Sequence, residues 1–130
     1  MNNLFICFEV RKDPTHCQLA AVFFEPSTGR IGQKFTFTGT RSLSRGIFPK
    51  EALADFNQFV LDNQHPQGRN NARMWFGAGS IDHEVLCADF YAHQIIPKWN
   101  LTSCYDHFTL QTVARSGGWD GYLPQFLPLI

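Results

Sequence analysis

The chain carries no excess of charge: eleven Lys and Arg balance eleven Asp and Glu over 130 residues. A neutral chain has no long-range field to gather DNA or RNA, so nucleic-acid contact would have to rest on a local basic patch. Weak colloidal repulsion also favours self-association or a protein partner. No C-x-x-C pair occurs among the four cysteines, Cys7, Cys17, Cys87 and Cys104, which argues against a structural zinc site. Three of them sit in apolar stretches, as expected of buried free thiols in a reducing compartment. No apolar run approaches the roughly 18 residues that span a bilayer. Met1-Asn2-Asn3 lacks the basic region of a secretory signal. The expectation is a cytoplasmic protein with no membrane association. Repeats and low-complexity segments are also absent. A length of 130 residues suits a single domain, 1–130, and leaves too little chain for a second core. Aromatic residues are plentiful, at 15% with thirteen Phe, enough for a dense core and a binding surface besides.

Short, β-prone apolar runs punctuated by turn residues open the chain. Leu4 to Val10 reads as a strand, Arg11-Lys12-Asp13-Pro14 as a turn, and Cys17 to Glu25 as a second strand. Pro26-Ser27-Thr28-Gly29 is a strong turn signal. Ile31 to Thr38, with Phe35 and Phe37 alternating with polar residues, completes an antiparallel meander. Thr40 to Gly46 reads as a basic loop. Pro49 in the first turn and Glu51 at the positive end of the dipole mark a helix ending near Asn63. Its apolar stripe is Leu53, Phe56 and Val60, with Ala52 and Phe59. Gln64 to Asn71 is a polar linker. Met74-Trp75-Phe76 reads as a short buried strand ended by Gly77-Ala78-Gly79. Ser80 is a suitable N-cap for a helix with Ile81, Val85 and Ala88 on one face. Ile95-Ile96-Pro97 suits a short strand or a connector, and Leu101 to Tyr105 has no clear pattern. A last helix is expected from Asp106 to Arg115, stopped by Gly117-Gly118. Strands first, then alternating helix and strand, indicate an α/β protein with a mixed sheet and packed helices.

Six short segments, in order, resemble the DEDD-type 3′–5′ exonucleases, in particular a group frequent in phages and prophages. Ile6-Cys7-Phe8-Glu9-Val10 is similar to that group's opening I-D-L-E-T strand. Phe23-Phe24-Glu25-Pro26-Ser27-Thr28-Gly29 is similar to its F-D-x-x-T-G turn. Trp75-Phe76-Gly77-Ala78-Gly79 and Ile81-Asp82-His83-Glu84-Val85-Leu86 resemble W-x-x-G and F-D-x-x-x-L. Pro97-Lys98-Trp99 and Asp106-His107-Phe108-Thr109 resemble P-W and D-x-R-T. The resemblance covers about residues 4–39 and 50–113. Each motif is short, and the specificity lies in the ordered set. It implies a ribonuclease H-like fold: an antiparallel three-strand meander, parallel strands and flanking helices, C-terminally truncated.

Such enzymes clamp the scissile phosphate between two divalent ions, one activating water and one stabilising the leaving oxygen. Hard cations require oxygen ligands, so the site is built from carboxylates on separate elements. The resemblance assigns metal ligation to Glu9 and Asp82, with Asp106 a third candidate. It sets Cys7 where the family's first Asp contacts both ions. A thiol is a soft ligand, mostly protonated at neutral pH, and a poor host for magnesium. The family also needs a last Asp preceded by His five residues or Tyr four residues earlier. The only acid after Asp106 is Asp120, and Arg115 and Ser116 occupy those two positions. Phe108 replaces the Arg of D-x-R-T. Three carboxylates would hold one weakly bound Mg or Mn ion, or none.

Each of these residues also has an ordinary structural explanation. Glu9 could point from a sheet edge. Asp82 suits the first turn of any helix, and Asp106 could simply start one. His83 and Cys87 share a helical face four residues apart, but no further ligand spacing lies near them. His107 beside Asp106 could be an acid–base pair or a plain surface pair. Arg41, Arg45, Lys50, Arg69 and Arg73 are candidate phosphate contacts or scattered solvated charge. The tail with Tyr122, Phe126, Leu127 and Ile130 is a candidate partner surface, or folds back over the sheet. The leading expectation is a catalytically degenerate, exonuclease-like binding protein that acts through a protein partner or as a homodimer. It would modulate or inhibit a host nuclease or defence complex. The alternatives are an active metal-dependent exonuclease on DNA or RNA and a nucleic-acid-binding module.

Overall fold

The computed structural model describes residues 2–10, 16–40, 47–64, 72–76, 80–101, 104–105 and 107–121, and side chains for all of these except 7–10, 80–82 and 107. The elements are β1 (Asn3–Val10), β2 (His16–Phe24), β3 (Ile31–Thr40), α1 (Lys50–Asn63), β4 (Arg73–Phe76), α2 (Ser80–Ala92), β5 (Cys104–Tyr105) and α3 (His107–Gly117). The five strands form one sheet in the order β3-β2-β1-β4-β5. β1, β2 and β3 pair antiparallel, whereas β4 pairs parallel with both β1 and β5. The α/β class, the meander and the mixed sheet expected from the sequence are therefore present.

Strand alternation sorts the apolar residues onto two faces. Leu4 and Ile6 of β1, Leu19, Ala21 and Phe23 of β2, and Met74 and Phe76 of β4 pack on one face. Leu53, Phe56 and Val60 of α1, with Leu86 and Phe90 of α2, close that core. Phe56 is its hub, with ring centroids 5.5 Å from Phe35, 5.9 Å from Trp99 and 6.4 Å from Phe90. On the opposite face Phe5, Val22, Phe24 and Trp75 pack against Leu110 and Ala114 of α3 and against Trp119. The sheet is thus sandwiched between α1 and α2 on one side and α3 on the other. Among the described residues no helix is long and apolar enough to cross a membrane.

Several boundaries and faces differ from the sequence reading. β3 continues through Thr40, two residues beyond the Thr38 that its sequence pattern suggests. Pro49 is the N-cap of α1 rather than its first helical residue, and its carbonyl accepts from the Leu53 N–H at 3.2 Å. Ser80 is the first residue of α2 rather than its cap. The buried face of α2 carries Leu86 and Phe90, whereas Ala88 is exposed and Val85 half-buried. Ile95-Ile96-Pro97 is a connector, not a strand. Asn57 of α1, itself buried, donates to the Ile96 carbonyl at 2.8 Å and accepts from the Lys98 N–H at 2.8 Å. One side-chain amide thus satisfies backbone groups that a neighbouring strand would otherwise pair. α3 runs two residues beyond the expected Arg115, and Gly118 leaves it with φ of 74°.

Candidate functional site

Topology brings the carboxyl ends of β1, β4 and β5 to one edge of the sheet. Ile6 pairs with Phe76, the last residue of β4, so positions 7 to 10 of β1 extend past β4 at that edge. Trp75 pairs with Tyr105, the last residue of β5. α2 starts at Ser80, just after β4, and α3 starts at His107, just after β5. The backbone of Cys7 and Glu9 therefore lies on the overhang of the central strand, and that of Asp82 in the first turn of the helix leaving its parallel neighbour. Strand parity puts positions 5, 7 and 9 on one sheet face, the face on which Phe5 packs against α3. In an open α/β sheet, the crevice outside the carboxyl ends of parallel strands is where ligands bind. Asp106 lies outside the described residues.

The remaining predicted positions are not gathered at this edge. Arg73 is exposed at the amino end of β4, in register with Asn3. That places it four strand residues, about 13 Å, from the level of Cys7. Lys50 is exposed at the first position of α1. Arg41, Arg45 and Arg69 lie outside the described residues, as do Tyr122, Phe126, Leu127 and Ile130. Phe108, in the place of the Arg of D-x-R-T, is 74% exposed on α3.

A second cluster was only half visible in the sequence. His83 Nε2 lies 3.3 Å from the Cys87 sulfur, as the i, i+4 spacing suggested. It also lies 3.4 Å from the Cys104 sulfur and accepts from Trp99 Nε1–H at 3.3 Å. Only the tertiary fold brings β5 and the Trp99 connector to it. Indole nitrogen is solely a donor, so Nε2 is the unprotonated ring nitrogen. Burial pushes the His83 pKa down, partly offset by Glu84, and pushes Cys87 up. Cys104 rises to about 11 through burial and then through Cys87. Burial thus favours the neutral imidazole and the protonated thiols, and the hydrogen-bonded group ties α2 to β5 and to the Trp99 connector. Among the described residues no group of three His, Cys, Asp or Glu side chains could hold a metal ion. The side chains of Glu9 and Asp82 lie outside the described residues.

A shallow cleft of about 430 Å³ lies at the end of α2, lined by Tyr91, Ala92, Gln94, Ile95 and Ile96. Among the described residues that line it, the Tyr91 phenol is the one titratable group. No family model, curated protein or solved structure matches the chain.

Proposed function

We propose that the chain is a catalytically degenerate relative of the DEDD-type exonucleases that works by binding a protein partner. The ribonuclease H-like fold implied by the resemblance agrees with a sheet whose first three strands form an antiparallel meander and whose last two run parallel to β1. The observation that carries the reading is the position of Cys7. It occupies the overhang of β1 two residues before Glu9, where the resembled family holds both metal ions with an Asp. Replacing a carboxylate by a thiol there removes the shared oxygen ligand. Glu9 and Asp82, with Asp106, are then left to hold at most one Mg or Mn weakly. Phosphodiester hydrolysis by two clamping ions does not survive that loss. Zero net charge favours a protein over a nucleic acid as partner. Modulation of a host nuclease or defence complex is the role that the phage and prophage resemblance supports.

Labelled single-stranded DNA and RNA incubated with the purified protein and magnesium or manganese should remain full length. Shortening that disappears in both Glu9→Ala and Asp82→Ala would establish an active exonuclease instead.

A further inference from the structure

Two thiols converge on one imidazole nitrogen. His83 Nε2 lies 3.3 Å from the Cys87 sulfur and 3.4 Å from the Cys104 sulfur. Sulfurs that share one contact atom are neighbours, and Cys87 is near enough to raise the Cys104 pKa. One sulfur comes from the middle of α2 and the other from β5, so the fold rather than the spacing in sequence pairs them. Both are free thiols and half-buried, within reach of a small reagent, whereas Cys17 is fully buried in the core. Neither cysteine belongs to the segments that carry the exonuclease resemblance.

We infer that Cys87 and Cys104 form a reversible disulfide that staples β5 to α2, made by exchange with a small disulfide such as oxidised glutathione. His83 Nε2 is unprotonated, so it takes the Cys87 proton as that sulfur attacks one sulfur of the reagent. The reagent's S–S bond breaks, and one glutathione leaves as thiolate and recovers the proton from His83. Cys104 then gives its proton to the same nitrogen and attacks the Cys87 sulfur of the mixed disulfide. The bond between Cys87 and Cys104 forms as the second glutathione leaves, again protonated through His83. Two protein thiols are oxidised and one reagent disulfide is reduced to two thiols, with no other reactant. Burial keeps both thiols protonated, which makes the exchange slow and suits a response to sustained oxidation.

The staple would act where the sheet is thinnest. β5 is two residues long, and among the described residues its one neighbour in the sheet is β4. Cys104 stands opposite Met74 and Tyr105 opposite Trp75, so the strand has few ladder bonds of its own. A covalent link to α2 closes the chain between 87 and 104 into a loop and limits how far β5 can leave the sheet. α3 starts at His107, just after β5, so the oxidation state sets how firmly that end of the carboxyl edge is held.

The full chain is incubated with oxidised glutathione, remaining thiols are alkylated, and trypsin cuts after Lys98, between the two cysteines. Mass spectrometry should find the Cys87 peptide joined to the Cys104 peptide with the loss of two hydrogens, and dithiothreitol should separate them. The same treatment in urea should scramble the pairing across Cys7, Cys17, Cys87 and Cys104. Cys104→Ser should stop at glutathione on Cys87, and His83→Gln should slow cross-linking about tenfold or more. The oxidised chain should melt at a higher temperature than the reduced one. A native chain that yields only glutathione adducts, or joins Cys87 to Cys104 no more often than the chain in urea, would overturn the disulfide. An equal or lower melting temperature would overturn the staple, and an unchanged rate in His83→Gln would remove the shared base. Nuclease activity is read separately, so failure here leaves the degenerate-exonuclease reading to its own test.

Discussion

Asp89 shows how much a single residue can carry. It is almost fully buried on α2, with its carboxylate accepting the Ile47 N–H at 2.9 Å and the Phe48 N–H at 2.8 Å. His93, one turn on, reaches the Phe48 carbonyl at 3.1 Å. Together they fix the approach to α1 and seat Phe48 in the core. Removing the carboxylate strands two backbone donors away from water, and charge-assisted bonds of this kind contribute about 1.5–3 kcal/mol each. Asp89→Ala should therefore destabilise the protein by about 3 kcal/mol, read as a lower urea midpoint with unchanged slope. Asp89→Asn keeps one acceptor oxygen and should lose less. Nothing near Asp89 in the sequence announced this role, because its partners lie more than forty positions away. The same holds for Asn57, which looks like one more polar residue of an amphipathic helix until the 96–98 connector folds against it.

The turn between β2 and β3 shows the same dependence among elements. Gly29 stands at φ of 74°, and a Cβ there would lie 2.6 Å from the Trp119 ring. The indole in turn donates to the Pro26 carbonyl at 2.7 Å, so the hairpin tip and the chain after α3 lock together. Gly118 has the same φ of 74° with nothing within 4 Å, which makes it an internal control. Gly118→Ala should cost only the left-handed penalty of about 1–2 kcal/mol. Gly29→Ala should cost more, because the ring must also move, and the difference should appear directly in the two melting temperatures. The hairpin itself was legible, since Pro26-Ser27-Thr28-Gly29 separates two β-prone runs. So was the stripe of α1, where Leu53, Phe56 and Val60 recur at helical spacing and are all buried. The face of α2 was misread because apolar residues occur all round it. The stripe Ile81, Val85, Ala88 looks as good as the one through Leu86 and Phe90, and only the sheet decides between them. β5 was hidden because two residues form no period, and its pairing comes entirely from β4.

For the whole molecule, the sheet order determines what the candidate edge can do. A meander followed by two parallel strands sends the overhang of β1 and the starts of α2 and α3 to one side. The resemblance groups Glu9, Asp82 and Asp106 as ligands, with Cys7 in place of a further one. The backbone of positions 7, 9 and 82 lies at the carboxyl edge of the parallel strands, and Asp106 lies outside the described residues. The basic set was less legible: scattered Arg and Lys carry no period, and Arg73 turns out to start β4 at the far end from that edge. Catalytic competence of this edge turns on how many divalent ions it can hold. Manganese titration, followed by loss of the free-ion paramagnetic resonance signal, counts them directly. No more than one weakly held ion per chain is expected, with any uptake lost in Glu9→Ala. Two tightly held ions per chain, both released by that substitution, would contradict this expectation.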